Sequence, residues 1–125
     1  MIKQEYEDSM VDSYNEVTSQ NFAEKVLDAE QMVIVNFTSD QSPACQIQEP
    51  EFKAVSRDYQ GRVSFARLDI DKNGDLVRQW NIDGIPTIIF FNRGVEIHRI
   101  KGILMRDRLR KQIEGALLVA DDTKK

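Results

Sequence analysis

Six consecutive residues, Met32, Val33, Ile34, Val35, Asn36 and Phe37, form a near-continuous apolar run rich in branched side chains. That is the pattern of a strand covered on both faces. Such a strand needs helices above and below its sheet, which restricts the chain to a layered α/β arrangement. With 125 residues there is room for one such unit and not for two.

The flanking patterns supply the other layers. Ser19 precedes Phe22, Ala23, Val26 and Leu27, which share one helical face, so a first helix capped by Ser19 is expected. The segment from Pro43 to Tyr59 reads as a long helix carrying Ile47, Phe52, Val55 and Tyr59, with a kink expected at Pro50. Val63, Phe65, Ala66, Leu68 and Ile70 predict a strand, and Leu76, Val77 and Trp80 one face of a short helix. The runs Thr87 to Phe91 and Val95 to Ile97 flank Asn92, Arg93 and Gly94, which is hairpin chemistry. Met105, Leu109, Ile113 and Leu117 recur every four residues and predict a closing amphipathic helix over 104–118. A crossover half followed by a hairpin half gives a mixed sheet with helices on both faces. Residues 1–13 read as an N-terminal extension, 14–119 as the folded unit, and 120–125 as a charged C-terminal tail.

Composition narrows the function. A net charge of −4 and a pI near 5.0 oppose the phosphate-neutralising surface of a nucleic-acid binder. Lys3, Glu5, Glu7 and Asp8 interrupt what would have to be an apolar leader, and no run reaches the length of a membrane span, so no membrane partner and a cytoplasmic location are expected. Cys45 is the sole cysteine and His98 the sole histidine, which excludes an internal disulfide and a Cys/His zinc site; no cofactor is expected. The run Asp69, Asp71, Asn73, Gly74, Asp75 imitates a calcium loop, but its twelfth position is Trp80 where a bidentate Glu is needed, so it reads as a turn with Asp71 or Asn73 capping the short helix. Asn36, Phe37, Thr38 matches a glycosylation sequon inside a buried strand and is set aside. His98 reads as an exposed strand residue and Trp80 as core.

The informative stretch runs from Val35 to Cys45, off the central strand and into the long helix, where ligand sites of α/β folds concentrate. Ser42 is a suitable N-cap, Pro43 is harmless at the first helical position, and Cys45 falls about one turn into the helix. Helix amides there favour a thiolate or a bound anion. Ser42 as a hydrolytic nucleophile would need an adjacent base, and His98 lies on the predicted last strand of the hairpin.

From about 14 to 118 the chain resembles the thioredoxin family. The landmarks are the strand 32–37, Pro50, Leu68, Asp69, Ile70 and Asp71, the segment Gly84, Ile85, Pro86 and Thr87, Gly94 and Gly102. The resemblance implies about five strands and about four helices, with a cis proline at Pro86 facing the redox motif. It also brings departures into view. Where the family has Cys-x-x-Cys, this chain has Ser42, Pro43, Ala44 and Cys45; the buried carboxylate becomes Asn36, its usual lysine companion Arg67, the preceding tryptophan Gln41, and another usual aromatic Thr38. A dithiol cycle needs attack by a second thiol, and Asn cannot accept a proton, so no oxidoreductase cycle is expected.

The Ser-x-x-Cys pattern is similar to the thioredoxin domain of chaperedoxins. The resemblance therefore implies a module that binds extended peptides or a partner protein, in a chaperone-like or scaffolding role. Its groove would be formed by Ser42, Pro43, Ile85, Pro86 and Ile103, with backbone pairing to Ile85. The alternative it leaves is a monothiol redox protein in which Cys45 alone is catalytic, through mixed disulfides with clients or glutathione.

Overall fold

The computed structural model describes residues 14–124; the extension expected at 1–13 lies outside the described residues. At its centre is β2 (Val33–Thr38), whose six residues are all buried. It runs parallel to β3 (Ser64–Asp69), and β3 runs parallel to the edge strand β1 (Tyr14–Glu16). On its other side β2 is antiparallel to β4 (Thr87–Asn92), which forms the hairpin with β5 (Val95–Lys101). The order β1-β3-β2-β4-β5 is the mixed five-stranded sheet that the resemblance implies.

Two cores sandwich this sheet because side chains alternate along each strand. Ile34, Phe65, Ile88 and Phe90 pack with Phe52 and Val55 of α2 (Pro43–Asp58) and with Leu109 and Ile113 of α4 (Arg106–Lys124). Val33, Val35, Phe37, Leu68, Ile89 and Phe91 point the other way, to Val26 of the short helix α1 (Ala23–Leu27) and Leu76 of α3 (Gly74–Gln79). Full burial of each such side chain stabilises the fold by about 1.5–3 kcal/mol. By the same alternation Asn36 shares the face of Ile34, beneath α2.

Several local expectations are corrected. Ser19 does not cap α1, which is one wide turn closed by the Asp28 N–H donating to the Ala23 carbonyl. Instead the Ser19 N–H and hydroxyl donate to Asn73 Oδ1, tying the loop before α1 to the loop before α3. Asn73 is accordingly engaged by Ser19 and by the Asp69 carbonyl, and its side chain caps nothing. Asp71 accepts from Ser39 and does not cap α3 either. Ile47 and Met105, read as apolar positions of helices, are each 50% exposed, while Gln48 takes the buried place on α2. The closing helix continues to Lys124, so residues 121–124 of the expected tail are helical. His98 is half-buried: its ring meets Phe90 edge-on at 5.2 Å and shares a 2.7 Å hydrogen bond with Gln112. Strand β1 had no pattern of its own; pairing with β3 makes it a strand. Helix α2 runs unbroken through Pro50.

Candidate functional site

The loop joining β2 to α2 is braced from within. The Ser39 hydroxyl donates to Asp71 at 2.7 Å, the Ser42 N–H donates to the Ser39 carbonyl at 3.2 Å, and Gln46 Nε2 donates to the Asp40 carbonyl at 2.9 Å. Ser42 is the N-cap of α2: its Oγ accepts from the Cys45 N–H at 3.2 Å, and Pro43 opens the helix. That hydroxyl is a helix anchor with no base beside it, since His98 is engaged with Gln112 on α4. Gln41 is exposed.

Cys45 turns inward and is 2% exposed. It borders a cavity of about 230 Å³ whose other walls include Thr38, Asp40, Glu49 and Arg67. Arg67 Nη2 donates to Asp40 Oδ1 at 2.7 Å, while its Nη1 and Nε lie 3.7 Å from Glu16 and 3.9 Å from Glu49. Burial disfavours the Arg67 charge, but Glu49, Asp40, Tyr14 and Glu16 together outweigh that and hold its pKa above the ordinary value. The Tyr14 hydroxyl donates to Glu49, 2.9 Å from each carboxylate oxygen. Burial first, and then the Glu49 charge, push that phenol far above its usual range, so it remains a neutral donor.

Asn36 is the register neighbour of Arg67 and is fully buried. Neither atom of its amide has a hydrogen-bond partner among the described residues. The amide is near enough to Tyr14 to oppose slightly the rise in its pKa, yet no hydrogen bond of good geometry joins the two.

The outer surface is assembled separately. The Ile85–Pro86 peptide is cis, and the Phe37–Thr87 pairing sets Pro86 one step further along, beside Thr38 at the end of β2. Sheet pairing begins at Thr87, which leaves the backbone groups of Ile85 outside the ladder. The Gly102 N–H donates to the Pro86 carbonyl at 2.9 Å. Buried Gln48 then clamps the next loop at both ends of one residue: its Nε2 donates to the Leu104 carbonyl and its Oε1 accepts from the Leu104 N–H, at 2.9 and 2.7 Å. Glu51, one turn on, accepts from the backbone and side chain of Arg106. Ile103 and Met105, flanking Leu104, and Ile47, beside Gln48, stay exposed on this side. Pro86 itself is buried and Ile85 half-buried, whereas Pro43, Ile47 and Ile103 are exposed.

The predicted residues thus fall into two groups: Cys45, Arg67 and Asn36 lie in or beside a polar layer under α2, and Ser42, Pro43, Ile85, Pro86 and Ile103 belong to the outer surface. Tyr14, Asp40, Glu49 and Gln48 were missed. Glu49 carried a signal, since it lies four residues after Cys45 on the same helix face. Tyr14 carried none, because only the register of β1 brings it there. Among the described residues no group of three or more His, Cys, Asp or Glu is placed to hold a metal ion, and no helix is long and apolar enough to cross a membrane.

The family model described as thioredoxin matches residues 13–115. A thioredoxin of Pseudomonas aeruginosa is 34% identical over 94 residues, covering 74% of this chain and 86% of that protein. A thioredoxin of Chlorobaculum thiosulfatiphilum is 29% identical over 101 residues, covering 81% and 94%. The chloroplastic thioredoxin Y of Oryza sativa subsp. japonica is 31% identical over 103 residues, covering 82% of this chain and 61% of its own length.

Proposed function

Starting from a chain that belongs to the thioredoxin family, we propose that it binds extended peptides or a partner protein, in a chaperone-like or scaffolding role, without running a dithiol–disulfide cycle. The observation that carries this reading is the single cysteine, Cys45, buried behind a serine whose hydroxyl caps the helix. An internal disulfide needs two thiols, and release of a mixed disulfide needs the second to attack the first. Strand-like pairing of a peptide with the free backbone groups of Ile85 needs neither. Apolar peptide side chains would rest on Pro43, Ile47 and Ile103. The Ser-x-x-Cys pattern, similar to that of chaperedoxins, fits the same use.

A monothiol cycle with protein clients is the weaker reading. Cys45 is 2% exposed, which leaves its sulfur little surface for a macromolecular disulfide to reach.

Two measurements test the proposal. In the dithiothreitol-driven insulin reduction assay the protein should leave the rate at background. Fluorescently labelled, carboxymethylated insulin B chain should bind, and Ile103→Asp should weaken that binding about tenfold or more, the equivalent of losing one apolar side-chain contact. Insulin reduction at the pace of a thioredoxin, or binding indifferent to Ile103→Asp, would overturn it.

A further inference from the structure

Between β5 and α4 lies a groove of about 200 Å³ that shares no residue with the cavity beside Cys45. A register shift builds its strand wall. Phe90 pairs with His98 and Phe91 with Glu96, so Ile97 is an extra residue with no partner on β4. A regular strand would point Ile97 and His98 to opposite faces, but the bulge brings both to the α4 side, where they line the groove together. The hydrogen bond between His98 and Gln112 sets the two elements level, and Gly115 and Val119 continue the helix wall over the next two turns. Glycine is a poor helix former, yet Gly115 sits inside α4, and a side chain added there would meet only open space.

Strand β5 ends the strand order, so its outer edge has no neighbouring strand among the described residues. The Gly102 N–H donates to the Pro86 carbonyl, and from there hydrogen-bonded and unbonded pairs alternate along the antiparallel ladder. By that alternation Ile100 and His98 spend their backbone groups on β4, while Arg99 and Lys101 turn theirs outward. Free N–H and C=O groups on an edge beside a side-chain groove are what an added strand requires.

Charge selects the chemistry of that strand. Lys111 lines the groove and forms no ion pair among the described residues. Its acidic neighbours on α4 are committed elsewhere, Asp107 to Arg110 and Glu114 to the Tyr59 hydroxyl, and Glu96 on β5 is held by Arg99. The groove thus runs from an uncompensated cation at Lys111 to an apolar end at Val119. Eight helical residues rise about 12 Å, roughly the span of four strand residues, so three alternate side chains of an extended peptide cover it.

We propose that β5 accepts an extended peptide as a sixth strand, with an acidic side chain at Lys111 and apolar side chains at the following alternate positions against Ile97 and Val119. This site is separate from the surface at Ile85 and Ile103 and does not depend on peptide binding there.

The test measures binding to the full chain by fluorescence anisotropy, with fluorescein-labelled Glu-Thr-Val-Thr-Val-Thr and the reversed sequence as probes for the two strand directions. At least one of them should bind. Exchanging its Glu for Lys should weaken binding about fivefold to tenfold, and Lys111→Glu should reverse that preference. Gly115→Leu, which fills the groove, should weaken binding about tenfold or more, whereas Ile103→Asp should leave it unchanged. N-methylation of alternate probe amides should weaken binding in one phase and not in the other, because only one edge of an added strand pairs. Lys111 is exposed, so its substitution tests the site even where Gly115→Leu alters the packing of α4. No binding of either probe, a Glu preference that Lys111→Glu does not move, equal effects of the two methylation phases, or binding lost in Ile103→Asp and kept in Gly115→Leu would each overturn the proposal. None of these outcomes bears on insulin reduction or on the B-chain binding that Ile103→Asp tests.

Discussion

Asn36 concentrates the cost of this site in one side chain. A buried amide with no hydrogen-bond partner among the described residues forfeits its hydration, a penalty of about 1–3 kcal/mol. Asn36→Leu, of similar volume, should therefore raise the stability of the folded chain by about 1–2 kcal/mol, read as a higher urea midpoint at unchanged slope. A lower midpoint would mean that the amide is well satisfied in solution. The residue type at this position was legible as an oddity, a polar residue inside an apolar run, but its lack of a partner was not. That depends on where Tyr14 and Arg67 spend their hydrogen bonds, and both are committed to carboxylates on other elements.

Between elements, the decisive contact is the clamp of α2 on the loop between β5 and α4. Both backbone groups of Leu104 are served by the one buried amide of Gln48, and Arg106 reinforces the junction through Glu51. Gln48→Leu would strand a buried N–H and carbonyl together. It should cost about 2–4 kcal/mol by urea unfolding, with faster amide hydrogen exchange confined first to residues 102–106. Exchange unchanged there would show that the loop is held by other means. This contact also explains why Ile47 and Met105 were misjudged. Apolar spacing alone assigns them to the core, but α2 turns Gln48 inward at this level, which rotates Ile47 to the surface. Ser42, by contrast, behaves as local rules dictate, because an N-cap needs only its own first turn.

Over the whole molecule, two phenols, buried Tyr59 and half-buried Tyr14, set the alkaline limit. Burial, followed by the Glu114 hydrogen bond and charge, pushes Tyr59 up to about 12, and burial with Glu49 raises Tyr14 further. Both folded values lie above the unfolded value of 10.0, so the neutral form is the one folding favours. Their contribution to stability is complete below pH 10 and declines as the pH rises through the folded values. Urea midpoints should accordingly be insensitive to these groups from pH 7 to 9 and fall above pH 10, less steeply in Tyr14→Phe; equal slopes in the two proteins would remove Tyr14 from the account. At this scale the layered α/β class, the strand at its centre, the hairpin and the capped helix at Ser42 follow from periodicity and turn chemistry, which act over a few residues. That these 125 residues hold one cysteine, and so no internal disulfide, likewise needs nothing beyond a count. The edge strand at Tyr14, the Gln48 clamp, the inward turn of Cys45 and the polar layer around Arg67 belong to another kind of information. The Tyr14–Glu49, Gln48–Leu104 and Arg67–Asp40 hydrogen bonds join residues 35, 56 and 27 positions apart, and such contacts arise from strand register and helix rotation, which no local pattern encodes.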